Sequence, residues 1–237
     1  MRPAPRATLF DDLLSGEALE VRHPTGSVQL LDPARWRAGP DPTDIDVVRR
    51  CTGPTLDLGC GPGRLVRALR DHGVVAWGVD SSAVAVQMCR RRGAPVLHRD
   101  VFAPLPLEGR WQHVLLLDGN IGIGGDPDLL LARAAALLAA GGTLLVETDP
   151  DPGISWTGSL RFPAATDPSS TMWARVGARA LEDIAARLGL AVVDRRSARP
   201  GRGDIVELCG GARSTRPAGT GNRMTGSFRT PCDGELS

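Results

Sequence analysis

The sequence predicts a doubly wound α/β fold with a mainly parallel sheet. Apolar runs of four to six residues, bounded by glycine or charge, are typical of strands that are buried on both faces. These runs alternate with helical patterns, which favours right-handed crossovers and helices on both sides of the sheet. Ligands of such a sheet bind at the carboxyl ends of its strands. We therefore expect the functional residues at those strand ends.

The strand and helix pattern begins with a helix expected at 43–51, where acids and hydroxyls precede Ile45, Val47 and Val48. Strands are predicted at 55–58, 74–79, 95–98, 113–117, 142–147, 191–195 and 203–209. Helices are predicted at 62–70, 82–91, 127–139 and 177–188.

Residues 43–210 are predicted to form this main domain, and residues 1–42 an accessory cap in front of it. The cap contains a short helical pattern at 9–14 and two brief extended pieces at 18–22 and 27–31. The length of 237 residues suits one α/β domain with such an extension.

Two further segments depart from the alternation. Residues 149–173 are rich in proline and glycine, which predicts a loop-rich insertion rather than another crossover. Residues 211–237 contain few large apolar side chains, so we expect a disordered tail that cannot offset the entropy of ordering.

The composition excludes several classes of function. The formal net charge of +1 favours neither nucleic acid nor a membrane surface as partner, so we expect a small-molecule partner. No apolar run approaches the ~20 residues of a membrane span, and the amino terminus lacks a signal-peptide core, which predicts a cytoplasmic protein. The chain has neither lysine nor tyrosine, which excludes a Schiff-base lysine and a catalytic phenol. The five cysteines have no metal-ligand spacing with the four histidines, so reduced thiols and no metal site are expected.

A glycine-rich turn follows the first predicted strand. Asp57 ends that strand, and glycines recur at Gly59, Gly61 and Gly63, where the backbone can turn sharply and approach a ligand closely. The helix that follows points its free N–H groups at the same place. A dinucleotide site would have a further glycine where Arg64 stands, so the motif does not match the NAD pattern.

Acidic residues also follow the next three predicted strands. Asp80, with Ser81 beside it, ends the second strand; it either accepts hydrogen bonds from two ribose hydroxyls or caps the helix that begins near Ser82. Asp100 and Val101 follow the third strand, where an aspartate before a proline-rich loop is also a common turn former.

The fourth strand leads into a glycine-dense segment at 117–126. Asp118 and Asn120 are the residues of this segment that we expect to face the site. Asp126 is interpreted differently, as the N-cap of a helix with Pro127 at its first position.

The order and spacing of these motifs resemble class I S-adenosylmethionine-dependent methyltransferases over roughly residues 43–147. The resemblance implies a seven-stranded Rossmann-like sheet, with S-adenosyl-L-methionine as cofactor. It implies that the first turn faces the amino acid part and sugar of the cofactor, that Asp100 and Val101 hold adenine, and that the glycine-dense segment borders the acceptor. The expected cofactor-binding residues are Asp57, Gly59, Cys60, Gly61, Gly63, Asp80, Ser81, Asp100, Val101, Asp118 and Asn120. The Asn-Pro-Pro-aromatic signature of nucleic acid amino-methyltransferases is absent, which argues against a DNA-modifying role.

The expected function is methyl transfer to a small molecule that the sequence does not identify. The alternatives are a protein that binds the cofactor without chemistry and, less favoured, an NAD-type oxidoreductase. Asp118 is the candidate catalytic residue. If the acceptor needs a general base, the candidates are His23, His98, His113, Asp118 and Asp149, with no histidine favoured. The side chains that could line an acceptor pocket are Trp36, Trp156, Trp173 and Arg175.

Overall fold

A computed structural model describes residues 9–16, 19–22, 28–160, 171–197 and 201–210. Within these ranges the strands are β1 (Leu19–Arg22), β2 (Val28–Leu31), β3 (Thr55–Leu58), β4 (Ala76–Asp80), β5 (Val96–His98), β6 (Trp111–Leu116), β7 (Leu138–Glu147), β8 (Ser155–Leu160), β9 (Thr171–Val176), β10 (Leu190–Arg196) and β11 (Ile205–Gly210). The helices are α1 (Leu9–Ser15), α2 (Pro33–Arg37), α3 (Pro42–Arg50), α4 (Arg64–Asp71), α5 (Ala83–Arg92), α6 (Pro127–Leu137) and α7 (Ala178–Arg187). The tail expected at 211–237 lies outside the described residues.

The central sheet has seven strands in the order β10-β11-β7-β6-β3-β4-β5. The strands from β7 to β5 in this order pair in parallel, whereas β11 is antiparallel to both of its neighbours. The connections reverse direction between β3 and β6, and a site is expected where strand order reverses in this way. The predicted doubly wound, mainly parallel seven-stranded sheet is confirmed.

Hydrophobic side chains cover both faces of the sheet. Alternate residues of β6 point to opposite faces, so Val114 and Leu116 pack in one buried cluster and Leu115 in the other. The same alternation puts Leu144 and Leu145 of β7 on opposite faces. All five side chains are inaccessible to solvent. Burial on both faces explains why the strands read as continuous apolar runs in the sequence.

Side-chain caps determine where several helices begin. Asp41 and Asp44 form a reciprocal capping box at the start of α3. Ser82 caps α5 by accepting a hydrogen bond from the backbone N–H of Ala85 at 2.9 Å. Asp126 caps α6, with Pro127 at the first position, as the sequence indicated.

The segment expected to be a loop-rich insertion contains a β-hairpin instead. β8 and β9 pair antiparallel as a separate two-stranded sheet, so the segment is indeed no further crossover. The hairpin packs on the glycine-dense segment after β6, where Ile123 bridges to Trp173. A Cβ on Gly122 would lie 2.2 Å from the carbonyl oxygen of Ala174, so only glycine allows this approach. The strands escaped prediction because their pairing depends on this contact rather than on their own composition.

The cap expected in front of the main domain has its helix and its two strands within one residue of the predicted positions. It also contains α2, which was not predicted from the sequence. Asp32 caps this short helix by accepting hydrogen bonds from Ala34 and Arg35, and Pro33 occupies its first turn. In the part of the chain that the structure describes, no helix combines the length and apolar character needed to cross a membrane.

Candidate functional site

A cavity of about 330 Å³ lies at the carboxyl ends of the central strands, a volume typical of small-molecule sites. Its polar wall comes from the segments that follow β3, β4, β5 and β6, as expected. Its apolar wall comes from the cap, the glycine-dense segment and the hairpin. The apolar side chains of that wall are Phe10, Leu14, Leu31, Trp36, Ile123 and Trp173.

The glycine turn after β3 lies against the cavity through its first two glycines. Gly59 has φ +73° and Gly61 has φ +51°, values that favour glycine. A Cβ on Gly59 would contact the side chains of Asn120 and Ile123 at 2.8 to 3.0 Å, whereas a Cβ on Gly61 would meet nothing within 4 Å. The Gly61 backbone therefore faces open space inside the cavity.

Gly63 was expected to bind the cofactor, but it does not line the cavity. It is the N-cap of α4 with φ +75°, and a Cβ there would lie 2.8 Å from Cys89 Sγ and Ala94 Cβ. Its role is helix packing. Cys60 does line the cavity, yet its Sγ lies 3.8 Å from Cys89 Sγ, so only its backbone suits ligand contact.

Asp80 lines the cavity and supports the glycine turn. One carboxylate oxygen accepts a hydrogen bond from Gly61 N at 2.8 Å, and the other accepts one from Ser82 N at 2.8 Å. Because Ser82 supplies the cap of α5, the alternative role of Asp80 as that cap is not observed. Each carboxylate oxygen has two lone pairs, so acceptor capacity remains toward the cavity.

Asp57 is the penultimate residue of β3, just before the glycine turn, and is only 2% exposed. Burial, followed by the negative charges of Asp118 and Asp80, raises the pKa of Asp57 from 3.8 to about 8. This carboxyl lines the cavity, so a cation bound beside it would restore its ionised form.

The segment after β5 brings Asp100 and Val101 to the cavity. Asp100 also forms a turn, because its carboxylate accepts a hydrogen bond from Phe102 N at 2.9 Å. Val101 is 5% exposed and belongs to the core. Ser81 lines the cavity as well, and its carbonyl lies 3.1 Å from His98 Nε2. The turn and the site interpretations of Asp100 are therefore compatible.

Asn120 and Asp118 follow β6, and both line the cavity. Asn120 Nδ2 donates hydrogen bonds to the carbonyls of Leu58 and Gly59 at 3.0 and 2.8 Å, which fixes the glycine turn from across the site. Asp118 has φ +56°, an uncommon conformation for a residue with a Cβ. Its backbone N–H is bound to Glu147 at 2.8 Å.

Three arginines surround Asp118 in a cluster that was not predicted from the sequence. Arg35 and Arg64 pair with its two carboxylate oxygens at 2.7 and 2.6 Å, and Arg202 lies 3.7 Å away. Burial alone would raise the pKa of Asp118, but attraction to the arginines outweighs burial and lowers it. A carboxylate held in this way is a weak base, so the structure argues against the candidate catalytic role of Asp118.

The same arginines bind three more acids. Arg64 also pairs with Asp44, whose side chain is fully buried. Arg202 pairs with Glu147 at 2.6 Å and with Asp41 at 2.9 Å. The cluster thus joins the cap, α3, α4 and the sheet beside the cavity. Its members are far apart in sequence, and only the position of Arg64 directly after the glycine turn offered a signal.

His98, His113 and Asp149, the other candidate bases among the described residues, do not line the cavity. His98 is exposed, whereas His113 is 5% exposed, accepts a hydrogen bond from Thr52 N, and has its pKa lowered by burial. Asp149 is paired with Arg175 at 2.7 Å. His23 lies outside the described residues. Among the residues that the structure describes, no group of three or more histidine, cysteine or acidic side chains could hold a metal ion.

Two of the four side chains suggested for an acceptor pocket belong to it. Trp36 and Trp173 line the cavity, and the Trp173 ring lies 5.2 Å from that of Phe10. Trp156 packs behind them in the same apolar cluster, and Arg175 is committed to Asp149, so neither lines the cavity. The contribution of α1 was missed because nothing local links Phe10 to the distant hairpin.

Comparison with solved structures shows similar folds at low identity. A SAM-dependent methyltransferase from Bacteroides fragilis, in complex with S-adenosyl-L-homocysteine, has 16% identity and a TM-score of 0.67 over 89% of this chain and 98% of that chain. The CcbJ methyltransferase from Streptomyces caelestis has 20% identity and a TM-score of 0.57 over 74% of this chain and 92% of that chain. A third structure is the 1,6-didemethyltoxoflavin-N1-methyltransferase from Burkholderia thailandensis with bound 1,6-didemethyltoxoflavin and S-adenosylhomocysteine. It has 18% identity and a TM-score of 0.55 over 72% of this chain and 77% of that chain.

Sequence comparison supplies the family. No curated protein matches the chain significantly. A family model described as a methyltransferase domain matches residues 37–195, which is more than half of the chain. This range contains the glycine turn, the strand-end acids and the hairpin. The chain therefore belongs to the methyltransferase-domain family.

Proposed function

We propose that this chain transfers the methyl group of S-adenosyl-L-methionine to a small-molecule acceptor. The observation that carries the proposal is one cavity in which a wall of backbone turns and strand-end carboxylates faces a wall of aromatic and aliphatic side chains. The first wall suits a nucleoside joined to an amino acid, and the second suits an organic acceptor. Membership of the methyltransferase-domain family and the likeness to structures solved with S-adenosylhomocysteine support this assignment.

The residues of the polar wall fit S-adenosylmethionine. Asp80 retains lone pairs for two ribose hydroxyls, and the open backbone at Gly61 allows close approach of the amino acid part. Asp57 would face positive charge on the cofactor. Asp100 and Val101 would accept the adenine amino group and cover the ring.

S-adenosylmethionine supplies a methyl group on a positively charged sulfur, which becomes a neutral thioether after transfer. The protein therefore has to align the acceptor with that methyl group and exclude water. The apolar wall suits both tasks, because Trp36 from the cap and Trp173 from the hairpin line the cavity with large apolar side chains. Asn120 keeps the glycine turn in place during the reaction through its two carbonyl contacts.

Titration calorimetry of the full chain tests the cofactor assignment. We expect saturable binding of S-adenosylhomocysteine and no binding of NAD. Binding of NAD alone would contradict the proposal and favour an oxidoreductase.

Formation of S-adenosylhomocysteine in the presence of an acceptor tests the reaction. We expect methyl-dependent turnover with a library of apolar small molecules. Cofactor binding without turnover on any acceptor would favour the non-catalytic binding protein instead.

A further inference from the structure

We infer that the methyl acceptor is a weakly basic nitrogen, in a heteroaromatic ring or an arylamine, carried on an apolar scaffold. The inference rests on the proposed function and deepens it by naming the substrate class. Three features of the cavity carry it: the shape and chemistry of the apolar wall, the charge of the polar wall, and the state of each group that could accept a proton.

The apolar wall is suited to a flat organic scaffold. Phe10 and Trp173 lie with ring centroids 5.2 Å apart and planes tilted by 45°, and Trp36 is half-buried beside them. Leu14 and Leu31 close this side and are 3% and 5% exposed. None of these side chains carries a charge, so a sugar or a peptide would lose hydrogen bonds to water on entering.

The charge of the cavity disfavours an anionic acceptor. In the described part of the chain, its charged lining residues are Asp57, Asp80, Asp100 and Asp118 against Arg64 alone. Arg64 is itself bound to acids on two sides. Asp118 is paired with arginines, and Asp57 holds a proton near pH 7 because burial raises its pKa to about 8, so Asp80 and Asp100 are the carboxylates that an acceptor would meet. A carboxylate, thiolate or phenolate would be repelled by them, whereas a group that becomes positive during the reaction would be stabilised.

The groups that could accept a proton from the acceptor lie in the polar wall, which the cofactor is proposed to occupy. Asp118 is held by arginines, and Asp80 accepts two backbone N–H groups. Asp100 accepts a backbone N–H in its turn, and Asp57 lies in β3 just before the glycine turn. Cys60 turns its thiol toward a second cysteine. An alcohol needs a general base, and the described side chains of the apolar wall include neither an acid nor a histidine.

A neutral nitrogen needs no base. Its lone pair forms the new nitrogen–carbon bond while the electrons of the sulfur–carbon bond stay on sulfur, so positive charge moves from sulfur to nitrogen. If the nitrogen carried hydrogen, the product then loses a proton to water. Aromatic faces stabilise such a cation, and Trp36 and Trp173 offer them. A strongly basic amine would enter this acidic cavity protonated and without a lone pair.

A matched set of two-ring compounds tests the inference. The full chain is incubated with S-adenosylmethionine and isoquinoline, naphthylamine, naphthol, naphthoic acid or naphthalenethiol, and methylated products are measured by mass spectrometry. We expect kcat/KM for the nitrogen compounds to exceed the others by about tenfold or more. Faster transfer to oxygen or sulfur, or no transfer to nitrogen while S-adenosylhomocysteine still binds, would overturn the inference and leave the proposed function standing. Failure to bind S-adenosylhomocysteine would overturn both.

A pair of tryptophan variants separates the acceptor wall from packing. Trp36→Leu keeps an apolar side chain and removes the aromatic face, so we expect kcat/KM for the nitrogen acceptor to fall by about 2- to 30-fold. S-adenosylhomocysteine affinity should not change. Trp156→Leu, in the same apolar cluster but off the cavity, should leave kcat/KM unchanged. Equal losses in the two variants would contradict a specific aromatic contact.

Discussion

Asp80 holds the backbone of the glycine turn and faces the cavity with the same carboxylate. The hydrogen bond from Gly61 N joins the end of β4 to the turn after β3, and the one from Ser82 N orients the carboxylate locally. A ligand that uses the remaining lone pairs would therefore find the carboxylate already oriented. This geometry supports the predicted ribose contact, which remains a prediction.

Replacing Asp80 with alanine should weaken cofactor binding. Hydrogen bonds to a charged group contribute about 1.5–3 kcal/mol, so we expect a loss of affinity for S-adenosylhomocysteine of about 1 to 3 kcal/mol, measured by titration calorimetry. Asp126→Ala is the matched control, since Asp126 caps α6 and does not line the cavity. That variant should lose about 0.5–2 kcal/mol of stability with unchanged affinity. Unchanged affinity in Asp80→Ala would mean that Asp80 only supports the turn.

At the scale of elements, the hairpin and the glycine-dense segment form one side of the acceptor wall only because they approach closely. Gly125 has φ +71°, and a Cβ there would lie 2.9 Å from Met172 Cβ. Gly122 contacts Trp173 and Ala174 in the same way. The position of the Trp173 ring thus depends on glycines in a different part of the sequence.

Gly122→Ala should displace the hairpin. The added Cβ would lie 2.2 Å from the carbonyl of Ala174, and backbone cannot yield there cheaply. We expect a loss of about 1–3 kcal/mol in the free energy of unfolding, measured with urea, and a higher KM for the acceptor. Gly210→Ala, where a Cβ meets nothing within 4 Å, is the control and should change neither. An unchanged KM in Gly122→Ala would separate the hairpin from the acceptor wall.

The sequence predicted the elements whose signals are local. Buried strands such as β3, with all four residues buried, read as apolar runs, and the acids that follow them were found because strand ends share one edge of the sheet. The hairpin and the arginine cluster gave no such signal. Trp156 pairs with Arg175 across the hairpin, and Arg35 and Arg202 are joined through the acids that they share, such as Asp118. The hairpin and the arginine cluster both form through contacts between residues that are distant in sequence. The local pattern of a single sequence contains no information on such contacts.

At the scale of the whole molecule, the arginine cluster joins the cap, α3, α4 and the sheet. Arg64 is 4% exposed and sits between Asp44 and Asp118. Removing its charge would leave buried carboxylates with fewer partners, which is costly in the protein interior. Surface ion pairs have no comparable effect, because water screens them.

Arg64→Met should therefore destabilise the fold strongly. We expect a loss of about 3–5 kcal/mol in urea unfolding. Arg187→Met removes an exposed pair with Asp128, whose side chains are 57% and 46% exposed, and should cost about 0–1 kcal/mol. Similar losses in the two variants would show that the cluster contributes no more than a surface pair.

The stability of the whole molecule should also fall as the pH rises from 6.5 toward 8. Asp57 has a folded pKa of about 8 against an ordinary value of 3.8, so across this range the folded state holds a proton that the unfolded state has released. The free energy of unfolding then declines by up to about 1.4 kcal/mol per pH unit.

Asp80, whose pKa is also raised by burial, acts in the same direction. His113 has a lowered pKa and acts in the opposite direction, but its contribution fades within about one pH unit above the ordinary value of 6.5. Below pH 4 the sign reverses, because the depressed pKa of Asp118 makes its stabilisation disappear as the pH falls. Urea unfolding between pH 6.5 and 8 measures how the free energy of unfolding changes with pH, and Asp57→Asn should flatten this slope. A flat slope in the original chain, or an equal slope in the variant, would contradict the assignment to Asp57.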